Sequence, residues 1–202
     1  MIGVYVKELD GKWFGVACDD KNVNATTFAS TEKAAFDNLF ACLPNCLEFE
    51  KKDSPPEFAD HIIGLIKDVY DGRDVAEKVS FYTKHLPTFT KRTIMATYSI
   101  PVGYATSYGA IAKAVGGGAR AVGNIMAKNP FCPLVPCHRV VCSDFSLGGY
   151  GGSRRRSGLS AKLAFLKREK RGYSREKEIV VEGGKLRVFP VESVLEKTPK
   201  HT

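Results

Sequence analysis

The sequence predicts a two-domain α/β protein, a small sheet with helices followed by a mainly helical half, and three observations predict it. Apolar and polar residues alternate along 2–9, and an apolar strand-like run resumes along 12–18 across Asp10-Gly11, which reads as a β-hairpin. Two short helix-compatible segments, 106–115 and 119–128, flank Gly116-Gly117-Gly118, the pattern of two helices joined by a glycine turn. A chain of 202 residues is long enough to bury one large core or two small ones, and a soft boundary falls near Pro87.

The elements follow in order. After the hairpin a third strand is expected at 25–29, and Thr31-Glu32-Lys33-Ala34 starts a helix that Pro44 ends. Ser54-Pro55-Pro56-Glu57 has the cap, the early prolines and the acid of a helix start, with Phe58, Ile62, Leu65, Ile66 and Val69 on one face and Gly72 as its end. Val79, Phe81 and Leu86 suit a last strand and a linker, which gives a first domain of 1–87. Thr88 is expected to cap a helix that breaks at Ile100-Pro101-Val102-Gly103. The pair of short helices then reads as a helix-turn-helix or, on the residues alone, as an ordinary helical hairpin. Val140-Val141 is strand-like, and Gly148-Gly149-Tyr150-Gly151-Gly152 is a loop that lets backbone approach a ligand. A helix over 158–171 sets Leu159, Leu163 and Leu166 against Lys162, Lys167, Arg168 and Lys170, closing a second domain of 88–172. The tail, 173–202, is expected to form a hairpin turning at Gly183-Gly184 with a loose end.

Composition narrows the function class. Hydrophobic content of 44% is ordinary, while 30 Lys and Arg against 22 Asp and Glu leave a charge of +8 that favours a polyanionic partner. No apolar run approaches the roughly 20 residues of a membrane span, and the first residues lack a signal-peptide pattern. The expectation is an intracellular protein, cytoplasmic or, in a eukaryote, nuclear, with its six cysteines reduced.

One of those cysteines stands out. Cys137 lies between Pro136 and His138-Arg139, so a nucleophile, a base and a cation follow closely on the second short helix, which stops at Asn129-Pro130. The run Pro136-Cys137-His138-Arg139-Val140, with Arg120-Ala121-Val122-Gly123 and Asn129-Pro130 upstream and Gly148-Gly149-Tyr150 downstream, resembles the signature of the O6-alkylguanine-DNA alkyltransferases. The likeness covers roughly residues 88 to 171 and is much less distinct elsewhere.

That resemblance implies a ribonuclease H-like first domain and a winged-helix-like second one. It implies Cys137 as alkyl acceptor, His138 as its base, and Glu169, otherwise an exposed helix-end acid, as the group that orients the histidine. Asn129 would be the hinge between helix and active-site loop, and Tyr108 the aromatic that crowds the target phosphate and donates a proton. Arg120 would be the finger that replaces an extruded base, with Ala119, Ala121, Gly123 and Arg139 among the DNA contacts. Tyr150, Val140, Cys132 and Met126 would form the substrate pocket. Cys132 departs from the pattern, because many relatives carry proline there, and here Pro133 comes one residue later.

The implied partner is duplex DNA containing O6-alkylguanine, met by a monomer without cofactor or separate methyl donor. Some relatives hold zinc in the first domain, yet Cys18, Cys42, Cys46 and His85 do not form two tight ligand pairs, and core thiols are expected instead. Arg154, Arg155 and Arg156 stand in an apparent insertion that either binds phosphate or is a solvated loop. Two other classes compete: a damage-sensing module of the kind that lacks the acceptor cysteine, against which Cys137 counts, and a helix-turn-helix regulator whose thiol is incidental or redox-sensing.

Overall fold

A computed structural model describes residues 1–44, 48–153 and 155–198. They form two compact units, Met1–His85 with Pro130–Leu134, and Leu86–Asn129 with the chain from Val135 onward. Among the described residues no helix is long and apolar enough to cross a membrane.

The first unit is a four-stranded sheet in the order β3-β2-β1-β4, made of β1 (Ile2–Leu9), β2 (Lys12–Cys18), β3 (Val23–Ala29) and the short edge strand β4 (Phe49–Lys51). Asp10 and Gly11 both take positive φ, the geometry that a two-residue hairpin turn demands and that a Gly meets without strain. Helix α1 (Glu32–Cys42) begins at Thr31, whose side chain accepts the Ala34 N–H. It packs Phe36 and Leu39 on Ala17 and Val4, whereas Tyr70 of α2 (Glu57–Tyr70) meets Phe14 and Phe28. Side chains alternate across a strand, so Phe14 and Ala17 point to opposite faces and the sheet carries one helix on each. Two expectations need correction here. Ser54 does not cap α2, which starts at Glu57 after an extended Pro56, because each proline keeps the residue before it out of the helical region. Residues 79–86 contribute only an isolated bridge, Val23 to Phe81, rather than a strand. The segment Pro130–Leu134 joins this unit through the Pro130 and Cys132 carbonyls, which accept from the Thr26 N–H and hydroxyl at 2.8 and 3.0 Å.

The second unit holds α3 (Thr88–Tyr98), β5 (Tyr104–Ser107), α4 (Tyr108–Val115), α5 (Ala119–Ala127), β6 (Val140–Val141), α6 (Arg156–Arg168), β7 (Lys177–Val181), β8 (Gly184–Pro190) and α7 (Val191–Lys197). Thr88 is the first residue of α3, and Pro87 occupies the cap position. The sheet order is β6-β5-β8-β7. Strand β5, unanticipated because it is four residues long and next to a glycine break, pairs in parallel with β6 and antiparallel with β8. The tail is therefore part of this unit's core: Phe189, Val191 and Val194 bury against Ala105, Val141 and Leu166. It is helical up to Lys197, because Val191 and Val194 fall on one buried face, and the final residues expected to be loose, 199–202, lie outside the described residues.

Candidate active site

The site is assembled at the ends of β5 and β6 in the second unit. Ser107, the last residue of β5, caps α4 by accepting the Ala110 N–H at 3.0 Å, which sets Tyr108 at the start of that helix. Gly116, at φ 79°, ends α4 in the left-handed conformation, and α5 follows with Val122 and Met126 buried and Ala119, Arg120, Ala121 and Asn124 exposed. At the far end of α5, Asn129 is buried and donates to the Val135 carbonyl at 2.8 Å, fixing the chain just before the thiol. Cys137, His138 and Arg139 then form one tight helical turn, all three buried, which feeds directly into β6.

A cavity of about 440 Å³ opens on this turn, lined by Cys137, Tyr108, Arg120, Met126, Cys142 and Tyr150 among others. Ala119 and Gly123 of α5 and the glycines 148, 149, 151 and 152 complete its wall. Tyr150 and Ser153 exchange backbone hydrogen bonds of 2.9 and 3.0 Å around Gly151 and Gly152, both at positive φ, so the glycine loop is a closed two-residue turn. Gly148 is also needed for space, since a Cβ there would lie 3.1 Å from Cys142 Sγ and 3.2 Å from the Tyr108 ring.

Behind the thiol lies a buried ionic cluster. His138 Nε2 is 2.8 Å from Glu169 Oε1, and both side chains are fully buried. A carboxylate only accepts, so the hydrogen sits on Nε2 and the Nδ1 lone pair is left free; Nδ1 is buried with no hydrogen-bond partner. Phe165 stacks on the imidazole at 4.5 Å between ring centroids. Burial holds His138 below its ordinary value against the opposing charge of Glu169, so the ring is neutral at pH 7. Burial works to raise the Glu169 carboxyl, but the Arg139 guanidinium and then His138 bring it down to about 2.

Arg139 is the clearest departure from expectation. Placed by resemblance among the DNA contacts, it lies 7% exposed, with Nε and Nη2 donating to both oxygens of Glu169 and Nη1 to the Ile100 carbonyl. Its fork geometry and charge are spent on the carboxylate that orients His138. The other expected residues divide simply. Tyr150 and Met126 line the cavity, Val140 is buried in β6, and Cys132 belongs to the first unit. Ala121 is exposed on α5. Arg155 and Arg156 are exposed at the start of α6, and Arg154, like Cys46, lies outside the described residues. Cys18 is buried in the first sheet, and Cys42 is half-buried on α1.

Lys162, expected on the polar face of its helix, is fully buried. Its ammonium donates to the carbonyls of Val140, Leu147 and Gly149 at 2.6, 2.7 and 3.0 Å, and to the Tyr108 hydroxyl at 3.4 Å. One cation thus ties β6, the glycine loop and the aromatic of α4 together beside the thiol. Burial lowers its pKa to about 8, against the opposing pull of the Cys137 and Cys142 thiolates. The signal was available: Leu159, Lys162, Leu163, Leu166 and Glu169 recur at helical spacing, so Lys162 and Glu169 share the apolar stripe.

Comparison with known proteins agrees with this geometry. The family model described as "6-O-methylguanine DNA methyltransferase, DNA binding domain" matches residues 88–171. A methylated-DNA–protein-cysteine methyltransferase of Mycobacterium leprae is 46% identical over 84 residues, 41% of this chain and 48% of that protein, so the chain matches about half of its length. The protein of the same description from Methanocaldococcus jannaschii is 36% identical over 119 residues, 59% of this chain and 67% of that protein. The solved O6-methylguanine DNA methyltransferase of Methanococcus jannaschii superposes with a TM-score of 0.58 at 26% identity, covering 88% of this chain and 99% of that one. With the thiol, histidine, carboxylate and paired helices of the motif in one domain, and a relative matched over two thirds of its length, the chain belongs to the methylated-DNA–protein-cysteine methyltransferase family.

Proposed function

We propose that the protein repairs DNA by direct reversal, moving the alkyl group of O6-alkylguanine in duplex DNA to Cys137, once per molecule. The observation that carries this reading is the thiol itself, set in a cavity and followed in sequence by a buried histidine locked to a carboxylate. Glu169 fixes the tautomer, and His138 Nδ1 accepts the proton of Cys137. The thiolate then attacks the saturated carbon on O6; the carbon–oxygen bond breaks, and its electron pair leaves with the guanine. Tyr108, whose hydroxyl faces Lys162, donates a proton to the departing base, and the ammonium steadies the phenolate left behind. A methyl thioether is inert to displacement by the nucleophiles a protein carries, so the methyl stays on sulfur and the reaction consumes the protein. It requires neither a metal nor a diffusible donor.

A base inside a duplex must leave the stack first. The small-residue surface of α5, with Ala119, Ala121 and Gly123, suits close approach to a minor groove, and Arg120, which lines the cavity, fills the vacated space on this reading. The test is intact-mass measurement with excess O6-methylguanine duplex. One added methyl, assigned to Cys137 by fragmenting the peptide that it shares with Cys132, and none in Cys137→Ser, is the expected result. More than one turnover per molecule, or the methyl on Cys132, would overturn the proposal.

A further inference from the structure

Two thiols, not one, line the cavity among the described residues: Cys137 and Cys142. The sheet sets Cys142 beside Tyr108. In the parallel pair, Thr106 is opposite Val140 and Ser107 opposite Val141, so the next step along both strands brings Tyr108 and Cys142 to the same end. Gly148 marks the spot, because the position of its missing Cβ is 3.1 Å from Cys142 Sγ and 3.4 Å from the Tyr108 hydroxyl. That hydroxyl is in turn 3.4 Å from Lys162 Nζ. Both sulfurs act on Lys162, opposing the fall of its pKa, so a single ammonium faces the two of them. The two differ in access: Cys137 is 6% exposed, whereas Cys142 is half-buried. A tight turn holds it there, with the Cys142 N–H donating to Ser146 and its carbonyl accepting from Phe145.

We infer that Cys142 is a second alkyl acceptor, which extends the substrate class from simple alkyl groups to O6 adducts whose alkyl chain ends in a leaving group. The inference rests on the reading of Cys137 as the first acceptor. With a 3-bromopropyl chain, Cys137 sulfur displaces guanine from the near carbon and becomes a bromopropyl thioether. The Cys142 thiolate attacks the far carbon, the carbon–bromine bond breaks, bromide leaves with the electron pair, and the Cys142 proton passes to solvent. The product is two thioethers joined by three methylenes. A three-carbon chain suits the purpose, because self-displacement by Cys137 sulfur would need a strained four-membered ring.

The experiment offers the protein two duplexes in parallel, one carrying O6-methylguanine and one O6-(3-bromopropyl)guanine, and maps tryptic peptides by mass. Cleavage after Lys128 and Arg139 puts Cys142 on a separate peptide from Cys137, which shares its own with Cys132, so fragmentation of the joined peptides assigns the bridged sulfur. The expected product from the second duplex is a bromine-free bridge joining those two peptides in most of the molecules alkylated on Cys137. Cys142→Ala should lose the bridge entirely and keep a bromopropyl or hydroxypropyl chain on Cys137. Wild-type protein alkylated on Cys137 with Cys142 free, or a bridge to Cys132, would overturn the inference while leaving the proposed function intact. Failure to methylate Cys137 from the first duplex would instead remove the underlying reading, and this one with it.

Discussion

Cys18 in the first unit and Cys137 in the second are buried to nearly the same degree, 3% and 6% exposed, yet their surroundings are opposite in kind. Cys18 ends strand β2 in an apolar core, and burial, then Asp19 and Asp20, push its thiol up to about 12. It is a small hydrophobe with a sulfur in it. Cys137 shares its turn with a neutral histidine backed by the Glu169–Arg139 pair and faces the Lys162 ammonium. Burial alone therefore silences a thiol. On the proposed reading, reactivity in the second unit comes from the charges fixed around Cys137 and the neighbouring imidazole, held by a buried ionic network.

The largest test of this contrast removes the network. Glu169→Ala strips His138 of its orienting acceptor and leaves Arg139 buried without its carboxylate. Methyl transfer should slow on the order of 100-fold or more, and unfolding free energy should fall by about 3–5 kcal/mol. Equal transfer rates in variant and wild type would show that Cys137 needs no base. The same carboxyl supplies an acid-dependent contribution. Its folded pKa of about 2 lies below the ordinary 4.5, so stability on the order of 3 kcal/mol is present above about pH 4.5 and is lost as the pH falls toward 2. Urea titrations of Glu169→Gln should lack that acid step.

A middle-sized effect is expected from Lys162→Met, which keeps the length of the side chain and removes its charge. Iodoacetamide labelling of Cys137 should slow roughly tenfold, with Cys18 unlabelled in both proteins. Cys18 is the internal control: its labelling in the variant would mean that the cores had opened. Unchanged labelling of Cys137 would remove Lys162 from the account of its reactivity. The smallest effect on thiol chemistry belongs to Arg120→Ala, at the cavity rim but outside the buried cluster. Reaction with free O6-methylguanine should stay within about twofold, while repair of duplex DNA slows tenfold or more, since only the duplex reaction requires extrusion. Equal losses on both substrates would assign Arg120 to chemistry or folding.

Some of this arrangement is legible residue by residue. The β1–β2 hairpin, the Thr31 cap, the glycine turn between α4 and α5, and the cluster around Cys137 are each written within about ten residues of chain, where local sterics and hydrogen bonding decide the outcome. Glu169 and Asn129 were placed by resemblance, and the structure brings Glu169 to His138 across 31 positions of sequence. Arg139 went to the wrong partner because a guanidinium beside a DNA-binding helix suits phosphate and carboxylate equally well until the carboxylate's position is known.

By itself, then, the sequence determined the cluster of thiol, imidazole and guanidinium at 137–139, the paired helices and the alternation that builds the first sheet, because each depends on local patterns of residue type and spacing. Only the tertiary structure decided where the charges of Lys162 and Arg139 are spent, that the tail supplies β8 to the site's own sheet, and that Cys142 shares a cavity with Cys137. The physical reason is common to all three. A buried cation, an inner strand and a cavity wall exist only through partners far along the chain, and which distant groups meet is settled by packing and strand register, which no local pattern encodes.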